Sequence, residues 1–174
     1  GPNIIRPRIS DGTAENNDRL YRNLGNGPDG HPTFAEVTLE AGIVWEGNGL
    51  GASVCDINRD QWPDIYVSND YLSNDLLYIN NGDGTFTNRI EDYLKHQSYS
   101  AMGNDVADFN NDGLPDIMVL DMLPETNLRQ KTMTADMNFD YFNTSLQTGF
   151  SPQFIRNTLQ LNRGILPDGS VKFS

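Results

Sequence analysis

Short apolar runs, each bounded by Pro, Asn or Asp, recur along this chain and predict β-strands. Ile65-Tyr66-Val67 and Ile117-Met118-Val119-Leu120 are rich in β-branched residues and short, so we interpret both as buried strands. A second strand is expected at residues 74–80. Asp83-Gly84 then favours a hairpin turn, because glycine readily adopts a positive φ.

The same polar and apolar order occurs more than once. The pattern of residues 74–86, an Asn-rich strand followed by Asp-Gly and Phe, returns at residues 17–34 and 157–173. Glycine-containing segments at 49–54 and 102–107 precede the two apolar runs. The repeating unit is therefore loop, strand, strand, hairpin, strand.

The spacing between equivalent positions locates an insertion. Asp56 and Asn80 are 24 positions apart, whereas Asp108 and Asn162 are 54 apart, so the second copy holds about 30 extra residues near 124–156. We expect a helical stretch near Glu125–Asn138, followed by irregular, aromatic-rich chain. The insertion either packs on the side or rim of its own repeat or forms a surface for a partner.

Two acidic loops precede the apolar runs, and in each an oxygen-bearing side chain stands at positions 1, 3, 5 and 9. Position 7 would add a backbone carbonyl, as in known calcium loops. Calcium takes six to eight oxygen ligands, so the spacing predicts one Ca²⁺ in each loop. The predicted metal ligands are Asp56, Asn58, Asp60, Trp62 and Asp64 in the first loop and Asp108, Asn110, Asp112, Leu114 and Asp116 in the second.

Other interpretations of the loops are weaker. Magnesium prefers stricter octahedral geometry, and zinc prefers His and Cys, which neither loop contains. Alternatively, each loop is only a polar turn whose Asp and Asn side chains cap the backbone. Gly113 suits the sharp turn at position 6, whereas Gln61 occupies that position in the first loop, so we expect the first site to be the weaker one.

Composition narrows the class of protein. The chain has 174 residues, enough for one domain or part of a larger one, and a net charge of −12. That charge argues against nucleic acid and against an anionic membrane surface as partners. No apolar run approaches the roughly 18 residues of a membrane span. The only cysteine, Cys55, is expected to be a small buried residue on a strand.

The loops and their flanks resemble a known family. Residues 49–64 and 103–116 resemble FG-GAP repeats, also called VCBS-type repeats, which form seven-bladed β-propellers similar to the integrin α-subunit head. Residues 66–70, 77–87 and 120–125 are more similar still to bacterial secreted proteins of the cartilage-acidic-protein type, which often carry an ASPIC/UnbV domain.

The resemblance implies an all-β partial propeller of about three blades with a part-helical insertion. We expect a partial blade at 1–48, a blade with a calcium loop at 49–100, and a blade with a calcium loop and the insertion at 101–174. The chain would then be a fragment of one propeller domain, with the remaining blades supplied by the rest of the chain or by another chain.

The resemblance also implies a function: a calcium-binding scaffold, secreted, periplasmic or on the cell surface, that binds a protein or glycan. The alternative is a polysaccharide-active lyase or hydrolase on the same scaffold. No catalytic residues stand out. His31 and His96 are expected to be exposed, and Trp45 and Tyr71 to pack in the core or at the rim. Three further acidic residues follow strands and could line a surface: Asp70, Asp121 and Glu125.

Overall fold

The protein's structure, a computed structural model, describes residues 5–133 and 139–174, with the backbone alone at residues 130 and 133. Strands dominate it. The strands of the first part of the chain are β1 (Tyr21–Asn26), β2 (Pro32–Glu36), β3 (Gly49–Cys55), β4 (Asp64–Asn69), β5 (Leu76–Asn80) and β6 (Phe86–Asn88). The later strands are β7 (Gln97–Ser98), β8 (Ala101–Ala107), β9 (Asp116–Asp121), β10 (Gln153–Phe154), β11 (Thr158–Gln160), β12 (Asn162–Ile165) and β13 (Val171–Phe173).

Strands β3 to β6 form one antiparallel sheet in chain order, here called the central repeat. Its middle strands β4 and β5 are almost wholly buried, as their β-branched and aromatic side chains require. The predicted hairpin joins β5 to β6, and Gly84 has a φ of 90° in its turn. The strand and hairpin predictions are confirmed here.

Strands β8, β9 and β11 form a second antiparallel sheet, and β12 and β13 continue it as a hairpin; together they are the C-terminal repeat. The register matches that of the central repeat, since Cys55 pairs with Asp64 and Ala107 pairs with Asp116. The register of strand pairing shifts once in each repeat, between Gly49 and Gly51 and between Ala101 and Gly103. The strand that precedes each acidic loop is therefore part of the repeating unit.

Strands β1 and β2 form a separate two-stranded sheet, the N-terminal hairpin. All six residues of β1 are exposed. The chain is thus mostly β, with several small sheets, and in its described part none of them closes on itself.

The insertion holds two helices, α2 (Asn127–Met133) and α3 (Phe139–Gln147), after the one-turn helix α1 (Ile90–Tyr93). Helix α2 confirms the helical prediction as far as residue 133, and residues 134–138 of the predicted helix lie outside the described residues. The expectation of irregular chain after it is wrong, because α3 is regular and buries Tyr141 and Ser145, four residues apart on one face.

The insertion contacts parts of the chain outside its own repeat. Tyr141 and Phe150 pack in a cluster with Ile5 and Tyr99, and β10 pairs with β7 in parallel. The Gln153 amide donates to the Leu72 carbonyl of the central repeat at 2.8 Å. One interpretation of the sequence placed the insertion on its own repeat. The structure shows that it also packs on other parts of the chain.

The largest hydrophobic cluster lies between the two repeats. Tyr66 and Leu77 of the central repeat pack there with Ala101, Ile117 and Val119 of the C-terminal repeat. Ser68 and Asn104 add a hydrogen bond of 2.8 Å across the same boundary. Burial of this apolar surface is what holds the sheets against each other.

Two further expectations can be compared with the structure. Cys55 lies on β3 as expected, but it is half-buried, because β3 alternates between covered and open positions. No helix in the described ranges is both long and apolar enough to cross a membrane.

Candidate metal-binding loops

The first acidic loop, residues 56–64, is folded by its own side chains. The Asp56 carboxylate accepts the backbone N–H groups of Asp60 at 3.0 Å and Gln61 at 2.9 Å. The Asp60 carboxylate accepts the N–H of Trp62 at 2.8 Å and the side-chain amide of Asn58 at 2.8 Å. These contacts turn the chain back on itself, as Asp and Asn commonly do in turns.

The second loop, residues 108–116, repeats this arrangement atom for atom. Asp108 accepts the N–H groups of Asp112 at 3.0 Å and Gly113 at 2.8 Å. Asp112 accepts the N–H of Leu114 and the side-chain amide of Asn110, both at 2.9 Å. Two segments with different residues between the acidic positions thus reach the same geometry.

The ninth position of each loop is a fully buried carboxylate. Asp64 accepts the N–H of Ile57 inside its own loop and the N–H of Asn80 at the end of β5, each at 2.8 Å. Asp116 likewise accepts the N–H groups of Phe109 at 3.1 Å and Asn162 at 2.8 Å. The last acidic residue therefore links each loop by a hydrogen bond to the hairpin that ends its repeat, which is β5–β6 in the central repeat and β12–β13 in the C-terminal repeat.

Burial raises the pKa of the Asp64 carboxyl, and the negative charges of Asp60 and Asp56 add to the increase. The N–H groups of Asn80 and Ile57 oppose it by stabilising the charged form. A cation among these carboxylates would act in the same direction as the N–H groups. The electrostatic environment of Asp64 thus suits a bound positive charge.

The loops differ in backbone strain. The fourth and sixth positions have φ values of 60° and 75° at Arg59 and Gln61, and of 60° and 82° at Asn111 and Gly113. Asn and Gly adopt positive φ more readily than Arg and Gln. Gln61 thus has a positive φ where the second loop has glycine, and Arg59 adds to the backbone strain. The ranking of metal affinity stays a prediction.

The donor set of each loop is made only of oxygen, which fits a hard cation such as Ca²⁺. A carboxylate oxygen that accepts one N–H keeps a second lone pair for a ligand. Across residues 5–133 and 139–174, however, no three His, Cys, Asp or Glu side chains are grouped tightly enough to hold a metal ion. The carboxylates are arranged around backbone N–H groups, so the polar-turn interpretation accounts for the contacts within the loops.

The remaining candidates from the sequence are dispersed. His31 is exposed in the turn before β2, as expected, but His96 is half-buried against the ring of Phe154, at 6.1 Å between centroids. Trp45 is half-buried under the Arg8 guanidinium, and Tyr71 packs edge-on against Tyr99. The interpretation of both as packing residues fits.

Two of the three acidic residues that follow strands are neighbours. The charge of Asp70 adds to the effect of burial, which raises the pKa of Asp121. Asp121 also accepts the N–H groups of Tyr99 at 2.9 Å and Ser100 at 3.1 Å. Glu125 is exposed. The contacts of Asp121 are structural, since they fix the start of β8 against the end of β9.

Sequence reasoning missed the most strongly perturbed carboxyl. Asp75 is almost wholly buried, and burial raises its pKa to about 7. It accepts the Tyr66 hydroxyl at 2.5 Å and the N–H of Asn69 at 2.8 Å, while its own N–H donates to Gln97. The recurrence of Asn-Asp before a strand, at Asn17-Asp18 and Asn74-Asp75, was the available signal.

Comparison with known proteins adds one assignment. A search of curated proteins found no match. Residues 56–119, about a third of the chain, match the family model of the FG-GAP-like repeat. The match begins at the first residue of the first acidic loop and ends within β9, after the second loop. The segment that contains both candidate metal-binding loops is therefore an FG-GAP-like repeat segment.

Proposed function

We propose that this chain is part of a β-propeller built from FG-GAP-type repeats, that each acidic loop binds one Ca²⁺, and that the assembly is an interaction scaffold outside the cytoplasm. The observation that carries the proposal is the duplicated loop, in which the same hydrogen bonds recur at the same positions. Residues 56–64 and 108–116 supply only oxygen donors, as calcium sites do.

The proposed location outside the cytoplasm follows from the calcium affinity expected of such loops. Loops of this kind in extracellular modules bind calcium with dissociation constants on the order of 10⁻⁴–10⁻³ M. Only compartments with millimolar calcium would fill them. FG-GAP-type repeats in extracellular proteins serve interaction, and the net charge of −12 is against nucleic acid as the partner. We therefore propose a protein or glycan ligand.

Calcium would stabilise the fold. With a dissociation constant near 10⁻⁴ M and calcium near 1–2 mM, mass action contributes roughly 1.4–1.8 kcal/mol per site. Each ion would stabilise its loop. It would also stabilise the hairpin that ends the same repeat, because Asp64 or Asp116 links the loop to that hairpin. Chelation should lower the melting temperature without unfolding the chain.

Calorimetric titration of the chelator-treated chain with CaCl₂ tests the proposal. We expect two ions per chain, and one ion for Asp112→Ala. Asp83→Ala is the matched control, because Asp83 is an exposed aspartate that accepts the N–H of Thr85 in the same way but lies outside both loops. Titration with MgCl₂ should give much weaker heats. Absence of calcium binding, or equal loss in Asp83→Ala, contradicts the calcium assignment.

The scaffold is tested separately from its ions. A glycan array probed with the chain should show binding that chelator reduces and no release of shortened products. Release of products would support the alternative, a polysaccharide-active enzyme.

A further inference from the structure

In the described part of the chain, one edge of strand β1 is unpaired, whereas the same edge of its equivalents is paired. Residues 17–21 and 74–78 share the order Asn-Asp-x-Leu-Tyr, so β1 corresponds to β5. Strand β5 pairs with β4 on one side and β6 on the other, and β11 pairs with β9. Among the residues that the structure describes, strand β1 pairs only with β2. An open edge of this kind is a template for another strand.

A side chain beside that edge lacks the partners its equivalents have. The N–H of Asn69 and the hydroxyl of Tyr66, both on β4, donate to Asp75. At the same position of the C-terminal repeat, the Asn157 side chain accepts the N–H of Asp121 on β9 at 2.8 Å. Asp18 has the corresponding position, and its Oδ2 is buried without a hydrogen-bond partner among the described residues. The neighbouring strand is what supplies the donor in both paired cases.

A cavity lies next to Asp18. It has a volume of about 400 Å³ and is bounded on one side by residues 18–20, which lead into β1, and on the other by the face of the central repeat. Gly49, Ile65 and Val67 line that face, along with Tyr78. The hydroxyl of Tyr78 is buried too, and the charge of Asp18 adds to the burial that holds its pKa high.

The same face of the C-terminal repeat is covered. Its equivalent residues Ala101, Ile117 and Val119 pack in one cluster with Tyr66 and Leu77 of the central repeat. Leu20, directly before β1, corresponds in sequence to Leu77 of β5, but in the described residues nothing takes the place of Tyr66. The cavity thus has the position of a missing aromatic side chain from a strand beside β1.

We propose that the groove between β1 and the central repeat receives a strand of a further repeat, similar in sequence to β4. The strand runs antiparallel to β1. In the register of the β4–β5 pair, its Tyr66-like residue faces Leu20. The side chain enters the cavity, and its hydroxyl and a backbone N–H three residues later donate to Asp18. This mode of binding is the addition of a strand to an open sheet edge. It rests on the proposed assembly from FG-GAP-type repeats and does not depend on calcium in the acidic loops.

The chain itself provides the probe. A synthetic peptide of residues 49–70, with Cys55 replaced by Ser, contains β3, the acidic loop and β4. We expect it to bind the chain with one-to-one stoichiometry in fluorescence anisotropy. Hydrogen exchange should slow at the backbone amides of residues 19–23. A peptide with Tyr66→Ala and a peptide with Asn69→Pro, which lacks the one donating N–H, should each bind about tenfold more weakly or worse.

Substitution in the chain gives the reciprocal test. Asp18→Ala should weaken binding of the unmodified peptide about tenfold, since two hydrogen bonds to a carboxylate are removed. Asp29→Ala, an exposed aspartate in the turn before β2, should leave the affinity unchanged. Equal binding by the Asp18→Ala chain would overturn the proposal.

A fusion covers the case in which the free peptide fails to fold. Residues 49–70 are placed ahead of residue 1 through a flexible Gly-Ser linker, which raises the local concentration of the strand to millimolar. The melting temperature should rise, and Asp18→Ala should remove the gain. The proposal is wrong if neither the peptide nor the fusion has an effect. It is also wrong if sedimentation finds a dimer of the unmodified chain that Asp18→Ala disrupts, because the groove would then belong to a second copy.

Discussion

The central and C-terminal repeats reach the same loop geometry with different residues, and they differ in what surrounds it. Asp56 and Asp108 make the same pair of backbone contacts, and Asp64 and Asp116 the same link to the hairpin. The connection to the third strand is short in one repeat and contains two helices in the other. The unit is therefore defined by a few hydrogen-bonding positions and tolerates large changes between them.

The largest effect should come from removing the buried carboxylate. Asp64→Ala and Asp116→Ala each leave two N–H groups without an acceptor, one of them on a buried residue (Ile57 or Asn162). We expect each substitution to lower the free energy of unfolding by about 3 kcal/mol. Urea denaturation measures both. Asp64→Asn and Asp116→Asn, which keep one acceptor oxygen, should cost less. A loss confined to one repeat would show that the two links are not equivalent.

A pH-dependent difference is expected at the position that is Asp75 in one repeat and Asn157 in the other. The pKa of Asp75 is raised to about 7 by burial, whereas in the unfolded chain it returns to its ordinary value of 3.8. Between these pH values the folded chain binds the extra proton, so this group's contribution to stability is complete below about pH 4 and declines up to about pH 7.

Urea midpoints at several pH values test this. Asp75→Asn should flatten the decline over that range, because the side chain then resembles Asn157 and no longer titrates. Asn157 is exposed, so Asn157→Asp lacks the burial that raises the pKa of Asp75 and should not make the decline steeper. Parallel pH profiles for the unmodified chain and Asp75→Asn would contradict the assignment.

The smallest effect concerns backbone strain in the first loop. Replacing Arg59 by Asn and Gln61 by Gly copies the second loop, and relief at two positive-φ positions should raise the free energy of unfolding by about 1 kcal/mol after the entropy cost of glycine. Urea denaturation without calcium measures this effect. The reverse pair, Asn111→Arg with Gly113→Gln, should destabilise by a similar amount. A gain from the reverse pair would exclude strain as the difference between the loops.

Local chemistry made much of the fold predictable. Strands β4 and β9 follow from short β-branched runs, and the β5–β6 hairpin from Asp83-Gly84. The loop contacts follow from aspartates at fixed spacing, whose side chains reach backbone groups two to five residues away. These features depend on neighbours in the sequence, so the sequence alone was enough to predict them.

The features that were missed depend on distant contacts. Helix α3 was not expected, because its aromatic residues were interpreted as irregular chain and its buried face is set by the cluster that includes Ile5 and Phe150. The burial of Asp75 results from Tyr66 and Gln97, which reach it from other strands. The spacing of apolar residues within one segment gives no information on contacts with distant segments. The repeated Asn-Asp pairs were visible, but only the structure gives them a role.

One hydrogen bond has a consequence for synthesis. The side-chain amide of Asn162 donates to the carbonyl of Ile57 at 3.3 Å, across 105 positions of sequence. At the usual pace of translation, the ribosome needs roughly 5–20 s to add that length of chain. During this interval the carbonyl of the first loop has no Asn162 to bond with, although every residue of that loop has already been made. This contact with the C-terminal repeat therefore forms several seconds after the first loop has been synthesised.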